Sequence, residues 1–190
     1  MKPFDFLITF FSFVYSLGLA HILMGVVRMV RRRDTLIFSW AQALWMLDAL
    51  ILLFANWISL WDFHETTTLT LPMIASGAVI VVTQYFVCAF VTPDVRDGEP
   101  VDLRAFHARE GRVYMSAFLA LALVALVTNA AAGSGLGIQN WANQNALVIG
   151  VTAVVLAGIF IRNAAVQVIA PLAVGAASVA FLILYYPVLK

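Results

Sequence analysis

The sequence predicts an all-α polytopic membrane protein: six transmembrane helices joined by short loops, forming one transmembrane domain over residues 1–190. Three observations predict it. Of the 190 residues, 63% are hydrophobic and only 11% are charged, against roughly 25% charged in a soluble domain. Mean hydropathy is +0.97, and several apolar runs reach the roughly 20 residues needed to cross a bilayer. The arginines fall into clusters between those runs rather than being spread along the chain.

The spans lie at about 5–28, 36–61, 69–91, 113–132, 144–161 and 165–187. The first could be mistaken for a secretory signal, because Gly18-Leu19-Ala20 imitates a cleavage site. Its apolar run continues through Val30, however, and Arg31-Arg32-Arg33 follows directly, so Phe4–Val30 is expected to be an uncleaved helix. The last two spans are separated only by Arg162-Asn163 and a short polar step to Gln167. They form either a tight hairpin or one long re-entrant element. Pro171 lies inside the sixth span and predicts a kink, because membrane helices tolerate proline where neighbours satisfy the freed carbonyl.

With six spans, Arg28, Arg31, Arg32, Arg33, Arg96, Arg104, Arg109, Arg112 and Arg162 all fall on one side, and only Lys2 and Lys190 on the other. The positive-inside rule then puts the arginines in the cytoplasm and both termini outside it. An odd number of spans would scatter the arginines to both sides.

The longest loop, Thr92–Gly111, is irregular in its first half, with Pro93, Gly98 and Pro100. From Val101 onward, apolar residues alternate with charges at near-helical spacing. That half reads as an interfacial helix leading into the fourth span, with a solvated, charge-balanced loop as the alternative. The outer stretch Gly133–Asn145 is rich in Gly, Asn and Gln and reads as a turn-rich loop. Spans 1–3 hold four of the five tryptophans, whereas spans 4–6 are rich in Ala, Val and Gly. A polar front half packed on a close-packed back half is expected. Trp40, Trp57, Trp61, Tyr185 and Tyr186 near span ends read as interfacial anchors.

The polar residues inside the spans are the candidate site. At 100° per residue, Gln42, Trp45, Asp48, Ala49, Leu52, Asn56 and Ser59 fall on one stripe of about 120°. That stripe should face protein, and the opposite aliphatic face lipid. A buried Asp costs roughly 2.5–3.5 kcal/mol on an insertion scale, and each Leu, Ile or Phe returns roughly 0.3–0.6. The second span carries twelve of those, enough to insert despite Asp48. On the first span Gly18, His21, Gly25 and Arg28 share a face, where the glycines would admit a neighbouring helix. From the 1.5 Å rise, His21, Gln42 and Gln84 lie at roughly 10 Å depth, and Asp48 at roughly 18 Å, level with Tyr15 and Ser16. Depth alone pairs Asp48 with Tyr15 or Ser16 and His21 with Gln42. The six residues read either as interhelical hydrogen-bonding groups or as a polar path through spans 1–3.

Several chemistries lack their residues. The single Cys88 excludes an intrachain disulfide and a thiolate metal cluster. His21, His64 and His107 share no depth, which argues against bis-histidine haem ligation. No HExxH, Walker or dinucleotide fingerprint is present. Ser12 and Ser16 point away from the His21 face, so no serine nucleophile pairs with it. No catalytic residue, metal or cofactor is therefore expected. A net charge of +1 gives no pull toward nucleic acid. The expected partners are the lipid bilayer and another copy of the chain or another membrane protein.

Two stretches carry a resemblance. Gly18-Leu19-Ala20-His21-Ile22-Leu23-Met24-Gly25 with Arg28 and the arginine cluster is one, together with the Trp-rich second span. Pro93-Asp94 followed by Val101-Asp102-Leu103-Arg104 is the other. Together they resemble a family of small six-span proteins of the bacterial inner membrane, over roughly the first 115 residues. Members often carry Tyr-Phe and a paired Arg-Arg before the fourth span, where this chain has Phe106 through Tyr114. The resemblance implies a multi-pass inner-membrane location with periplasmic termini, and no activity, substrate or cofactor. The expected role is a non-catalytic accessory, sensor or scaffold protein, with a small transporter or channel using Asp48 as the alternative.

Overall fold

The computed structural model describes residues 3–66, 68–95, 100–133, 135 and 137–187. The expectations that involve Lys2, Arg96, Asp97, Gly98, Glu99 and Lys190 lie outside the described residues.

Among the described residues the architecture is all-α. Helix α1 is Pro3–Arg31, α2 is Trp40–Ser59, α3 is Leu71–Val91, α4 is Leu103–Ala132, α5 is Ile138–Gln144, α6 is Ala146–Phe160 and α7 is Ala164–Tyr185. Single 3-10 turns follow α1 and α2 at Arg33–Thr35 and Leu60–Phe63. Five helices are long and apolar enough to cross a membrane, and the pair α5 and α6, bent by 72°, makes up to six. The chain is a multi-span helical membrane protein.

Three elements bear on the expectations. Helix α4 begins ten residues before Val113, because Asp102 caps it: its Oδ1 accepts from the N–H groups of Arg104 and Ala105, both at 2.9 Å. An N-terminal carboxylate satisfies donors that the helix leaves open. Leu103 and Gly111 are buried, so this segment is packed helix rather than solvated loop. The outer stretch 133–145 contains a short helix, α5, because its glycines stop at Gly137 and Ile138–Gln144 carries none. Helix α7 continues through Pro171 without a stop, as expected.

Helix α6 has 15 residues, about 22 Å of rise, which is short of the roughly 30 Å hydrocarbon core. Both its ends are nonetheless tied to α4. Asn129 Nδ2 donates to Asn145 Oδ1 at 2.7 Å at one end, and Arg162 Nη2 donates to the Ala108 carbonyl at 2.8 Å at the other. Helix α6 therefore runs alongside α4 between those points.

The packing order keeps each half of the chain together and joins the halves at α3–α4 and α2–α7. Helix α1 packs on α3, α3 on α4, α4 on α6, α6 on α7, and α7 back on α2, which also touches α3. The front half, α1 to α3, thus packs on the back half, α4 to α7, as expected. Small residues decide this order. A Cβ on Gly25 would lie 2.2 Å from Thr92 Cγ2, and one on Gly18 would lie 3.3 Å from Cys88 Sγ. The glycine face of α1 thus closes on α3. Helix α2 buries Gln42, Trp45, Asp48 and Ala49 and exposes Leu47 and Phe54, as the stripe predicts. Trp45 is fully buried against Phe118, with ring centroids 4.8 Å apart.

The arginine-bearing ends of the helices are stitched together. Ile37 N–H donates to the Val101 carbonyl at 2.8 Å, and Leu103 N–H returns to the Ile37 carbonyl at 3.0 Å. Arg104 Nε donates to the Phe38 carbonyl at 3.2 Å. At the opposite end, Trp57 Nε1 donates to Ser12 Oγ at 3.1 Å, and the Tyr186 hydroxyl donates to Asp62 Oδ2 at 2.5 Å. Trp40, Trp57, Trp61 and Tyr185 are exposed near helix ends, where interfacial anchors belong.

Candidate functional site

The six sequence-selected residues do not converge. Gln42 and Gln84 link α2 to α3. Gln42 Nε2 donates to the Val91 carbonyl at 2.5 Å. Gln84 Nε2 donates to the Ala49 carbonyl at 3.2 Å, and its Oε1 accepts from Asn56 Nδ2 at 2.8 Å. Both glutamines are fully buried, so these bonds replace water that the lipid interior cannot supply.

The pairings inferred from depth are corrected. Asp48 lies against α7, not α1: a Cβ on Gly175 would sit 2.7 Å from its Oδ1. Its Oδ2 is buried without a hydrogen-bond partner. Tyr15 is buried with its hydroxyl unpartnered, and its ring lies on the face of α1 that meets α3. Ser16 is exposed, and its hydroxyl donates to the Ser12 carbonyl of its own helix at 2.7 Å. Gln42 does not bond His21: its Nε2 donates to Val91 and its buried Oε1 has no partner. His21 is half-buried and makes no described hydrogen bond. Depth follows from helical rise, but the lateral neighbour follows from which faces close. The glycines Gly18 and Gly25 bring α1 onto α3, and Gly175 admits Asp48 to α7.

A connected polar cluster exists at residues the sequence did not select. His107 and Tyr114 stand seven residues apart on one face of α4, and the His107 Nδ1 meets the Tyr114 hydroxyl. His107 Nε2 lies 3.0 Å from Gln167 Oε1 on α7. Gln167 Nε2 donates to the carbonyls of Gly158 at 2.8 Å and Ile161 at 2.7 Å. Those carbonyls close the C-terminal end of α6, where helical partners run out. The network sets the tautomer: with both amide hydrogens of Gln167 committed, Oε1 can only accept, so His107 Nε2 carries the hydrogen. In the neutral ring Nδ1 then accepts from the Tyr114 hydroxyl. Every polar atom of the His107 and Gln167 side chains is engaged, so the cluster holds no idle base or nucleophile.

No family model, curated protein or solved structure matches this chain. Several residues of the motifs quoted from the sequence have structural roles. Gly18 and Gly25 admit α3, Asp102 caps α4, and Arg104 bonds back to Phe38. No group of three His, Cys, Asp or Glu side chains suited to a metal occurs among the described residues.

Two clefts open at the arginine end. One, of about 450 Å³, lies between the starts of α2, α4 and α7 and is floored by His107 and Gln167. The other, of about 470 Å³, lies between α3 and α4 and carries Asp94, Arg109 and Glu110. Arg109 Nε donates to Glu110 Oε1 at 2.8 Å, so its charge is already met.

Proposed function

We propose that the chain is a non-catalytic accessory, sensor or scaffold protein of a bacterial inner (plasma) membrane. In this reading it crosses six times, with α5 and α6 together making the fifth crossing. The arginine end faces the cytoplasm and both termini lie in the periplasm. The ties of α6 to both ends of α4 support that fifth crossing, and the positive-inside rule supports the direction.

One observation carries the reading. The hydrogen bonds of the buried amide and imidazole groups run mainly between helices, although the buried Gln42 Oε1 has no partner. Gln42 and Gln84 join α2 to α3, and His107, Tyr114 and Gln167 join α4, α6 and α7. Polar side chains used this way act as interhelical glue. The test is the purified Asp48→Asn protein. Its unfolding temperature or oligomeric profile should change while no turnover or transport is altered. An Asp48→Asn protein with unchanged stability and assembly would count against the reading.

A second reading, a small transporter or channel, is favoured by Asp48 alone. It is 3% exposed with one carboxylate oxygen unpartnered, and intramembrane ionisable groups are costly to keep. Its path would follow the α2–α7 seam rather than spans 1–3, because that is where the carboxylate lies.

A further inference from the structure

The cleft between α2, α4 and α7 has a feature that the interhelical bonds do not use. Its described lining runs from residues 38–41 at the start of α2 to Arg104 and His107 on α4 and Gln167 and Val168 on α7. The floor, His107 and Gln167, is saturated. The rim is not. Arg104 is anchored through Nε to the Phe38 carbonyl at 3.2 Å, with its two Nη groups free of described partners. The Ser39 side chain sits at the N-cap of α2 without making a cap bond. No carboxylate is among the described lining residues. A fixed cation with free donors, in a lining whose described residues hold no carboxylate, recognises an anion.

The walls identify what carries the anion. Phe38 and Trp40 meet edge to face with centroids 5.0 Å apart, and both are exposed. Ala41, Ala164 and Val168 complete an apolar lining. On α7 the apolar surface continues one turn deeper, from Val168 to the exposed Leu172. Trp40 marks the level of the bilayer interface. A free phosphate would fill only the rim of a 450 Å³ cleft and leave these walls wet.

We infer that this cleft is a binding site for an anionic phospholipid, with its phosphate on Arg104 and Ser39 and its chains running along α7 past Val168 and Leu172. The inference does not depend on the proposed function.

The experiment measures the unfolding temperature of the full-length protein in neutral detergent. The probes are phosphatidylglycerol, phosphatidylcholine and inorganic phosphate, each titrated separately. Phosphatidylglycerol should raise the midpoint saturably, and the other two should not. Arg104→Gln should weaken that response about five-fold, the factor one arginine is worth near an anionic surface. Arg31→Gln, an exposed charge at the same end but outside the cleft, should leave it unchanged. Val168→Trp fills the cleft without altering charge and should weaken the response also, which keeps the test decisive if Arg104→Gln fails to fold. An equal response to phosphate would make this a free-anion site. An equal response to phosphatidylcholine would make it an apolar groove. An equal loss in Arg31→Gln would make the effect one of overall surface charge. An undiminished response in Arg104→Gln, or in Val168→Trp, would place the lipid elsewhere. Any of these overturns the inference.

Discussion

His107 on α4 and Gln167 on α7 meet at 3.0 Å through Nε2 and Oε1, and the Gln167 amide in turn closes the end of α6 on the Gly158 and Ile161 carbonyls. One side chain from a neighbouring helix thus serves as the C-terminal cap of another, and a histidine from a third fixes its orientation.

Removing that cap should be costly. Gln167→Leu leaves two carbonyls and the His107 N–H without partners, and each unsatisfied buried group costs about 1–3 kcal/mol. His107→Phe removes the orienting bond while leaving the amide free to bond α6, and should cost less. In the double variant the two losses should fall short of additive by about 0.5–3 kcal/mol, as contacting residues do. Reversible unfolding in detergent measures all three values.

Asp48 and Gly175 form a second coupled pair. Gly175→Ala places a methyl group 2.7 Å from the Asp48 carboxylate oxygen and should destabilise by about 1–3 kcal/mol, the usual cost of overpacking. In an Asp48→Ala background the same substitution meets open space and should cost much less. Equal costs in the two backgrounds, read from unfolding midpoints, would show that the carboxylate does not lie against α7.

The α1–α3 contact has its own rescue. Gly25→Ala drives a methyl group to 2.2 Å from Thr92 Cγ2, so α1 must lift from α3, again at about 1–3 kcal/mol. Thr92→Ser deletes that methyl and keeps the hydroxyl that donates to the Cys88 carbonyl at 2.8 Å. The combination Gly25→Ala with Thr92→Ser should therefore recover most of the loss in a thermal unfolding assay.

Threading is tested by labelling. Cys88 is fully buried, so the parent protein should resist a membrane-impermeant maleimide. Arg109→Cys should label only in inside-out vesicles and Asp62→Cys only in right-side-out ones. The reverse pattern would invert the topology.

The all-α membrane class and the extents of α1 to α3 were legible because apolar runs and arginine clusters directly reflect the bilayer. The protein-facing stripe of α2 was legible for the same reason: Gln42, Trp45, Asp48 and Ala49 are buried where helical periodicity puts them. The glycine face of α1 announced a close neighbour without naming it. Depth matching failed for Asp48 and His21 because a helix's rise says nothing about which neighbour its faces meet. His107 was hidden by its surroundings. The charges from Asp102 to Arg112 read as an interfacial helix or a solvated loop, and the cap at Asp102 makes them the first turns of a continuous α4. The signal that could have found the cluster is the seven-residue spacing of His107 and Tyr114 within one continuous helix. Gln167 gave no such sign, because its partners are backbone carbonyls of another helix.

The central claim is that the intramembrane polar groups hold helices together rather than move protons or ions. The most direct measurement is flux through liposomes containing the purified protein, with a fluorescent pH indicator inside and an imposed proton or potassium gradient. The account predicts the leak rate of empty liposomes for the parent protein and for Asp48→Asn alike. A protein-dependent flux that disappears in a folded Asp48→Asn variant would contradict it and establish Asp48 as part of a conduction path.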